Sequence, residues 1–209
     1  MTADVPAPRY AKPRSMATRR FSHAIAEGDG ISVIAAVEDA DAARAAEEQR
    51  AEALVVRGDP AAVREATTLP ILWRASVSPE RAVESADAVM LVFDTLEEED
   101  GRLEELHARA LDLGLDCAVE VRNEEELERA LDRVDPEIFL LSPVEAGDRS
   151  PLEHVLDLLA AVPAGKLAIA DLQVTTEDEV HELERAGVDG VIVAARDVSP
   201  LAGDAPPEV

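Results

Sequence analysis

The chain has 209 residues and carries 20 Lys and Arg against 45 Asp and Glu, a formal net charge of −25. This length suits one substantial domain whose core needs no disulfide or metal, and the acid excess disfavours direct binding to nucleic acid or docking on an anionic membrane. A single cysteine, Cys117, excludes an internal disulfide framework. Because the sequence has neither a long apolar run nor an apolar signal core, we expect a soluble, cytoplasmic protein.

The basic residues are unevenly divided between lysine and arginine. Only Lys12 and Lys166 are lysines, and the chain has five aromatic residues in all. Scarce lysine, acid excess and few aromatics are typical of salt-loving archaea, where concentrated salt screens surface repulsion; an ordinary acidic protein is the alternative. Under the halophilic interpretation the acidity reflects habitat and does not predict a basic partner.

The first 20 residues differ from the rest of the chain. Residues 1–20 carry a net charge of +4, which leaves −29 on the remainder, and they include three prolines but no apolar periodicity. This composition predicts a flexible arm. It is either an unstructured terminus or a basic peptide that binds an acidic partner or the chain's own acidic body.

From residue 31 onwards, short apolar segments alternate with Ala/Glu/Arg-rich segments of helical periodicity. The predicted strands are Ile31–Val37, Ala53–Val56, Pro70–Trp73, Ala88–Phe93, Cys117–Val121, Ile138–Leu141, Leu167–Ala170 and Gly190–Val193. The clearest predicted helices are Arg102–Leu113, Asn123–Leu131 and Thr176–Ala186, bounded by capping Asn or Thr residues and by glycines.

Eight βα units predict a closed (βα)₈ TIM barrel, a single α/β domain over residues 21–198. An open doubly wound sheet would need only five or six strands and usually a Gly-rich loop after the first, which residues 37–40 do not supply. Residues 199–209 are too short and Pro-rich for a full last helix and predict a flexible tail. A barrel without its closing helix should expose an apolar stripe.

Four segments resemble indole-3-glycerol phosphate synthase. Leu103–Asp132, LEELHARALDLGLDCAVEVRNEEELERALD, is similar to the fifth βα unit of that family. Weaker similarity extends over ISVIAAVEDA (31–40), VREATTLPILWRAS (63–76) and IADLQVTTEDEVHELERAGVDGVIVAARDV (169–198). The resemblance covers most of residues 21–198. It implies a carbon–carbon lyase of tryptophan biosynthesis, without a cofactor, whose active site lies at the carboxyl ends of the strands.

Three residues match positions that carry the chemistry in that family. Glu120 matches the fifth-strand glutamate, and Asp171 is a conservative replacement of the seventh-strand glutamate. Arg74 stands where the family has a third-strand lysine that acts as general acid. A guanidinium stays protonated, so it binds an anion well but donates a proton poorly.

Other matching positions have changed character. Ala36 and Glu38 replace the first-strand Glu and Lys that contact the substrate and hold its carboxylate, and Ser142 replaces a sixth-strand Asn. The residues that replace the Gly- and Ser-containing phosphate cradle are Leu172, Gln173, Ala194, Ala195 and Arg196, with Asp41 in place of a first-loop Ser. Only Arg196 is predicted to act as a substitute phosphate clamp.

These replacements leave several hypotheses open. The first is a barrel that has lost the lyase activity and has a binding or regulatory role, with Glu120, Arg74 and Asp171 kept as an internal salt-bridge cluster. The second is a divergent synthase, or a related phosphosugar lyase or isomerase, that uses Glu120 and Arg74. The third is a partner-dependent subunit, a homodimer or a complex formed through residues 1–20 and the uncapped barrel face. A small-molecule anion at the mouth is a further expected partner.

A magnesium-binding acidic rim is an alternative use of the carboxylates near the strand ends. Its members would be Glu38, Asp39, Asp41, Asp94 and Asp171. On so acidic a chain a chance cluster is the better interpretation, so we predict no metal site. Trp73 either fills the barrel mouth or packs in the core, and Cys117 is predicted to be a small core residue.

Overall fold

The computed structural model describes residues 19–27, 30–74, 79–97, 101–172 and 174–201. Eight parallel strands pair in sequence order, and the eighth closes on the first to form a barrel. They are β1 (Ser32–Val37), β2 (Ala53–Val56), β3 (Ile71–Trp73), β4 (Ala88–Val92), β5 (Asp116–Val121), β6 (Ile138–Leu141), β7 (Leu167–Ala170) and β8 (Gly190–Ala194). Each strand begins and ends within one residue of its predicted bounds, so the predicted (βα)₈ barrel is confirmed.

Helices surround the barrel, and local capping signals explain where they begin and end. They are α1 (Arg20–Ala26), α2 (Ala40–Glu48), α3 (Ala61–Ala66), α4 (Phe93–Glu97), α5 (Arg102–Asp112), α6 (Glu124–Val134), α7 (Pro151–Leu159), α8 (Glu177–Ala186) and α9 (Val198–Leu201). The Asn123 side chain accepts a hydrogen bond from the Glu126 amide at 2.8 Å at the start of α6. At the start of α8, Thr176 and Glu179 form a reciprocal capping box.

The strands alternate between two hydrophobic cores. Inward residues such as Ile34, Leu72 and Ile169 fill the barrel, whereas the residues between them pack against the surrounding helices. Side chains alternate along a strand, so the residue two positions after an inward core residue also points inward. Near the carboxyl end of a strand, such a residue lies at the mouth of the barrel. This alternation places Arg74 after Leu72 and Asp171 after Ile169 at the mouth of the barrel.

Helix α1 closes the end of the barrel opposite the mouth. Phe21 and Ile25 are 0% and 2% exposed and belong to the inner core cluster. The amide and hydroxyl of Ser22 donate to the Asp116 carboxylate at 2.9 and 3.0 Å, and Arg20 pairs with Asp87 at 3.2 Å. A side chain at Gly190, the first residue of β8, would crowd Ile34 at 3.0 Å and contact Ile25 of α1 at 3.6 Å.

The described structure extends past both predicted domain boundaries. Arg19 and Arg20, assigned from sequence to the arm, make ion pairs with Glu137 and Asp87 on the barrel, while residues 1–18 lie outside the described residues. Residues 199–201 belong to α9, and residues 202–209 also lie outside. A homodimer or protein partner that binds through residues 1–20 stays a prediction.

The expectation of an exposed apolar stripe beside the last strand is wrong for the described residues. Val198 and Leu201 of α9 are 0% and 6% exposed and belong to the outer hydrophobic core. Among the described large hydrophobic side chains only Leu111 and Val144 are exposed, and they lie on different elements. Helix α9 therefore contributes to the cover of this part of the barrel. No described helix is long and apolar enough to cross a membrane.

Candidate functional site

Three charged side chains meet at the mouth of the barrel. Arg74 follows β3, Glu120 lies near the end of β5, and Asp171 follows β7. The Arg74 Nη2 atom lies 3.1 Å from Glu120 Oε2, and Arg74 Nη1 forms an ion pair with Asp171 Oδ2. The structure thus brings together the three residues that the sequence singled out, and we call them the mouth triad.

The mouth triad is largely shielded from solvent. The exposed fractions are 6% for the Glu120 side chain and 18% for each of Arg74 and Asp171. Burial opposes the charge of Arg74, but attraction by Asp171 and Glu120 and their hydrogen bonds outweigh it and raise the pKa of the guanidinium. Arg74 therefore stays protonated and acts as a fixed positive charge between two carboxylates. It is not a source of protons.

The first strand supplies no cation to this site. Ala36 is half-buried near the carboxyl end of β1, and Glu38 is exposed just after the strand. Within the mouth triad itself two carboxylates face one guanidinium, and Glu38 adds a further carboxylate at the end of β1. A ligand carboxylate approaching β1 would meet a like charge.

Ser142 is a site residue whose burial and hydrogen bonding the sequence did not predict. It follows β6 directly and is 1% exposed, and its hydroxyl has no hydrogen-bond partner among the residues that the structure describes. Leu141 pairs with Ala170 in the sheet register, so the next residues, Ser142 and Asp171, lie side by side on adjacent strands. Inward Ile138 and Leu140 put Ser142 on the inner face by alternation. The hydroxyl therefore lies at the mouth beside the triad.

The replacements in the phosphate-cradle region do not gather around the mouth triad. Leu172 is buried, Ala194 is exposed, and Gln173 lies outside the described residues. Arg196 follows β8 with its side chain 86% exposed, and its Nε atom lies 3.4 Å from Asp197. It is a rim residue that already has an acidic neighbour, and its role as a phosphate clamp stays a prediction.

The carboxylates considered as a magnesium-binding rim are engaged separately. Asp39 caps α2 by accepting from the Ala42 amide at 2.8 Å, Asp41 pairs with Arg44, and Asp94 lies 2.8 Å from Arg122. Within the described ranges, no group of three or more His, Cys, Asp or Glu side chains is arranged to hold a metal ion. These contacts favour the interpretation of the rim as a chance cluster.

Trp73 does not fill the mouth. It belongs to the outer core, where its Nε1 donates to the Gly58 carbonyl at 2.6 Å and the Arg81 guanidinium lies 5.8 Å from the ring centre. Strand alternation explains this, because Leu72 and Arg74 on either side point inward. Cys117 is a core residue as predicted, and burial together with the Asp116 charge raises the pKa of its thiol to about 12.

His154 is a supporting residue outside the mouth triad. It lies in α7 and is 3% exposed, and its Nε2 lies 2.6 Å from the Arg122 carbonyl, just after β5. The Arg149 Nη2 atom lies 3.3 Å from the other ring nitrogen. The imidazole thus ties α7 to the end of the strand that carries Glu120, and no sequence motif signals this contact.

Comparison with known proteins gives a consistent family assignment. Residues 32–196 match the family model described as indole-3-glycerol phosphate synthase. Curated synthases from Geobacillus kaustophilus and Geobacillus sp. are 31% and 29% identical over 138 and 143 residues. These alignments cover 63% and 66% of this chain and 53% and 55% of the relatives, so the chain spans about half the length of the curated relatives it matches.

Solved structures share the fold at much lower identity. A mutant tryptophan synthase alpha-subunit from Pyrococcus furiosus has a TM-score of 0.62 at 14% identity, covering 83% of this chain and 98% of its own. The N-acetylmannosamine-6-phosphate 2-epimerase from Clostridium perfringens has a TM-score of 0.63 at 13% identity, covering 94% and 96%. At these identities the two matches establish the barrel fold alone.

Proposed function

This chain belongs to the indole-3-glycerol phosphate synthase family, and from that premise we propose that it lacks the family's lyase activity and has a binding or regulatory role. The observation that carries the proposal is the double ion pair of Arg74 with Glu120 and Asp171. Arg74 replaces the lysine that the resemblance assigns as general acid. Its guanidinium cannot release a proton, and both of its carboxylate partners hold it in place.

The loss of anion-holding groups supports the same proposal. Ala36 and Glu38 stand where the resemblance implies a substrate-contacting glutamate and a carboxylate-binding lysine. A neutral methyl group replaces the first, and the charge at the second is reversed. Proton transfer and substrate positioning are therefore both impaired, and either change alone would reduce turnover strongly.

The proposal predicts no ring closure or decarboxylation of the anthranilate-derived ribulose phosphate that the family uses. The full chain should be assayed for indole-product fluorescence in molar KCl and again at low salt. The synthase of Geobacillus kaustophilus, assayed in its own buffer, is the positive control. Turnover at ordinary enzyme rates, of about 1 per second or more, would contradict the proposal.

A divergent lyase or isomerase is the second candidate. It is favoured by the burial of Glu120 at the barrel mouth, 3.1 Å from a permanently charged guanidinium. A preorganised carboxylate and cation in a shielded site can stabilise developing charge in a transition state. The substrate of such an enzyme would be either the family's own synthase substrate or another phosphosugar.

The second candidate predicts that Glu120→Gln abolishes product formation while leaving the melting temperature nearly unchanged. The isosteric amide removes the charge and basicity of the side chain but keeps its volume. Glu126→Gln is the matched control, because Glu126 is also buried but accepts its hydrogen bond from the Arg122 amide outside the mouth triad. If Glu120→Gln changes only the melting temperature, Glu120 is structural and this candidate fails.

A further inference from the structure

We infer that the barrel mouth binds a small uncharged polyhydroxylated compound, a free sugar or sugar alcohol, in place of a phosphorylated one. The inference rests on the proposed binding role and names its ligand class. The mouth triad and Ser142 form one polar group at the ends of β3, β5, β6 and β7. Beside them, at β1 and β8, stand the small residues Ala36 and Ala194, half-buried and exposed respectively.

The two carboxylates of the mouth triad are preorganised acceptors. Glu120 and Asp171 each give one oxygen to Arg74, which fixes both side chains. An ionised carboxylate offers about four acceptor sites, so each retains capacity for further donors. Hydroxyl groups are suitable donors, and hydrogen bonds to a charged acceptor are stronger than those between neutral groups.

Ser142 supplies the observation that points to a missing partner. Buried polar groups in folded proteins are hydrogen-bonded with few exceptions, yet the Ser142 hydroxyl, at 1% exposure, has no partner within the described part of the chain. A hydroxyl both donates and accepts one or more hydrogen bonds, as does the hydroxyl of a sugar. Since Ser142 lies beside Asp171 in the sheet register, one ligand with neighbouring hydroxyls can reach both.

Charge selects against a phosphorylated ligand at this site. Two carboxylates already neutralise Arg74, and Glu38 adds a further negative charge at β1. A phosphate or carboxylate in contact with the mouth triad would therefore face a net negative site. Among the described residues three cations stand near the strand ends outside the triad: exposed Arg57 after β2, Arg122 after β5, which pairs with Asp94 at 2.8 Å, and Arg196 beside Asp197. A phosphate held by these cations would make ribitol 5-phosphate bind more tightly than ribitol.

The test compares ribitol with ribitol 5-phosphate and with ethanolamine, using the full chain in molar KCl. Binding is followed by saturation-transfer NMR and by isothermal titration calorimetry, which avoids the general stabilisation of proteins by polyols. We expect ribitol to bind at least tenfold more tightly than the other two compounds. Ser142→Ala should weaken ribitol binding about fivefold, the effect of one neutral hydrogen bond.

Ser32→Ala is the matched control at the opposite end of the barrel. Ser32 is also buried, but its hydroxyl lies 2.7 Å from Glu52 Oε2. Removing this bonded hydroxyl should lower the melting temperature and leave ribitol affinity unchanged. Removing the unpartnered hydroxyl of Ser142 should leave the melting temperature unchanged or raise it, because no hydrogen bond is lost.

Each result decides the inference. Tighter binding of ribitol 5-phosphate or of ethanolamine, no binding of ribitol, or equal ribitol affinity in Ser142→Ala and the unmodified chain would overturn it. Absence of ribitol binding together with absence of lyase turnover would overturn this inference and leave the proposed loss of activity standing. Lyase turnover with a preference for the phosphorylated compound would overturn both.

Discussion

Arg74→Met is expected to lower the free energy of unfolding at neutral pH by about 3–5 kcal/mol. The substitution removes the one cation that Glu120 and Asp171 share, and both carboxylates are shielded, with 6% and 18% of their side chains exposed. Two buried like charges then remain without compensation. Urea unfolding followed by circular dichroism, at one fixed KCl concentration, measures the loss.

Two variants control for the origin of this loss. Adding Glu120→Gln and Asp171→Asn to Arg74→Met removes all the charges of the mouth triad, and it should recover most of the lost stability. Arg44→Met breaks the pair with Asp41, whose side chain is 90% exposed, and should change stability by about 0.5 kcal/mol or less. If the triple variant is no more stable than Arg74→Met, lost packing of the arginine stem explains the effect, and charge does not.

The barrel and its strands could be predicted from the sequence because their signals are local. Short apolar runs mark the strands, and side-chain caps fix the helices between them: Asn123 and Thr176 both cap the helices predicted for them. The mouth triad was predictable for a related reason. Carboxyl ends of parallel strands converge at one end of a barrel, so matching residues on β3, β5 and β7 must approach one another. Because side chains alternate along a strand, the same reasoning would have predicted that Trp73, between inward Leu72 and Arg74, points out of the barrel.

The remaining features depend on contacts between distant parts of the chain. Helix α1 has seven residues, too few to show helical periodicity against a basic background. Its packing depends on residues far apart in sequence, because Phe21 and Ile25 share the inner core with residues from all eight strands. The Ser142 hydroxyl likewise depends on residues distant in sequence. In the sheet register its neighbours are Arg122 after β5, which pairs with Asp94, and Asp171 after β7, which pairs with Arg74.

Phe21→Ala is expected to destabilise the barrel by about 3–5 kcal/mol, the range for removing a buried aromatic ring. Phe21 is 0% exposed and is among the largest fully buried side chains described. The ring packs in the inner core of a closed barrel of hydrogen-bonded strands, which limits how far the wall can collapse to refill the space. Leu111→Ala on α5, where the side chain is 43% exposed, is the surface control and should change stability by about 0.5 kcal/mol or less.

The position of Phe21 makes a second, sharper test possible. It packs at the amino-terminal end of the strands, whereas Arg74 lies at their carboxyl ends and pairs with Glu120 and Asp171. The milder Phe21→Leu, combined with Arg74→Met, should therefore give additive losses to within about 0.5 kcal/mol. A larger coupling energy would mean that the base and the mouth respond to one another through the barrel core. The helix that closes the base would then influence the binding site directly.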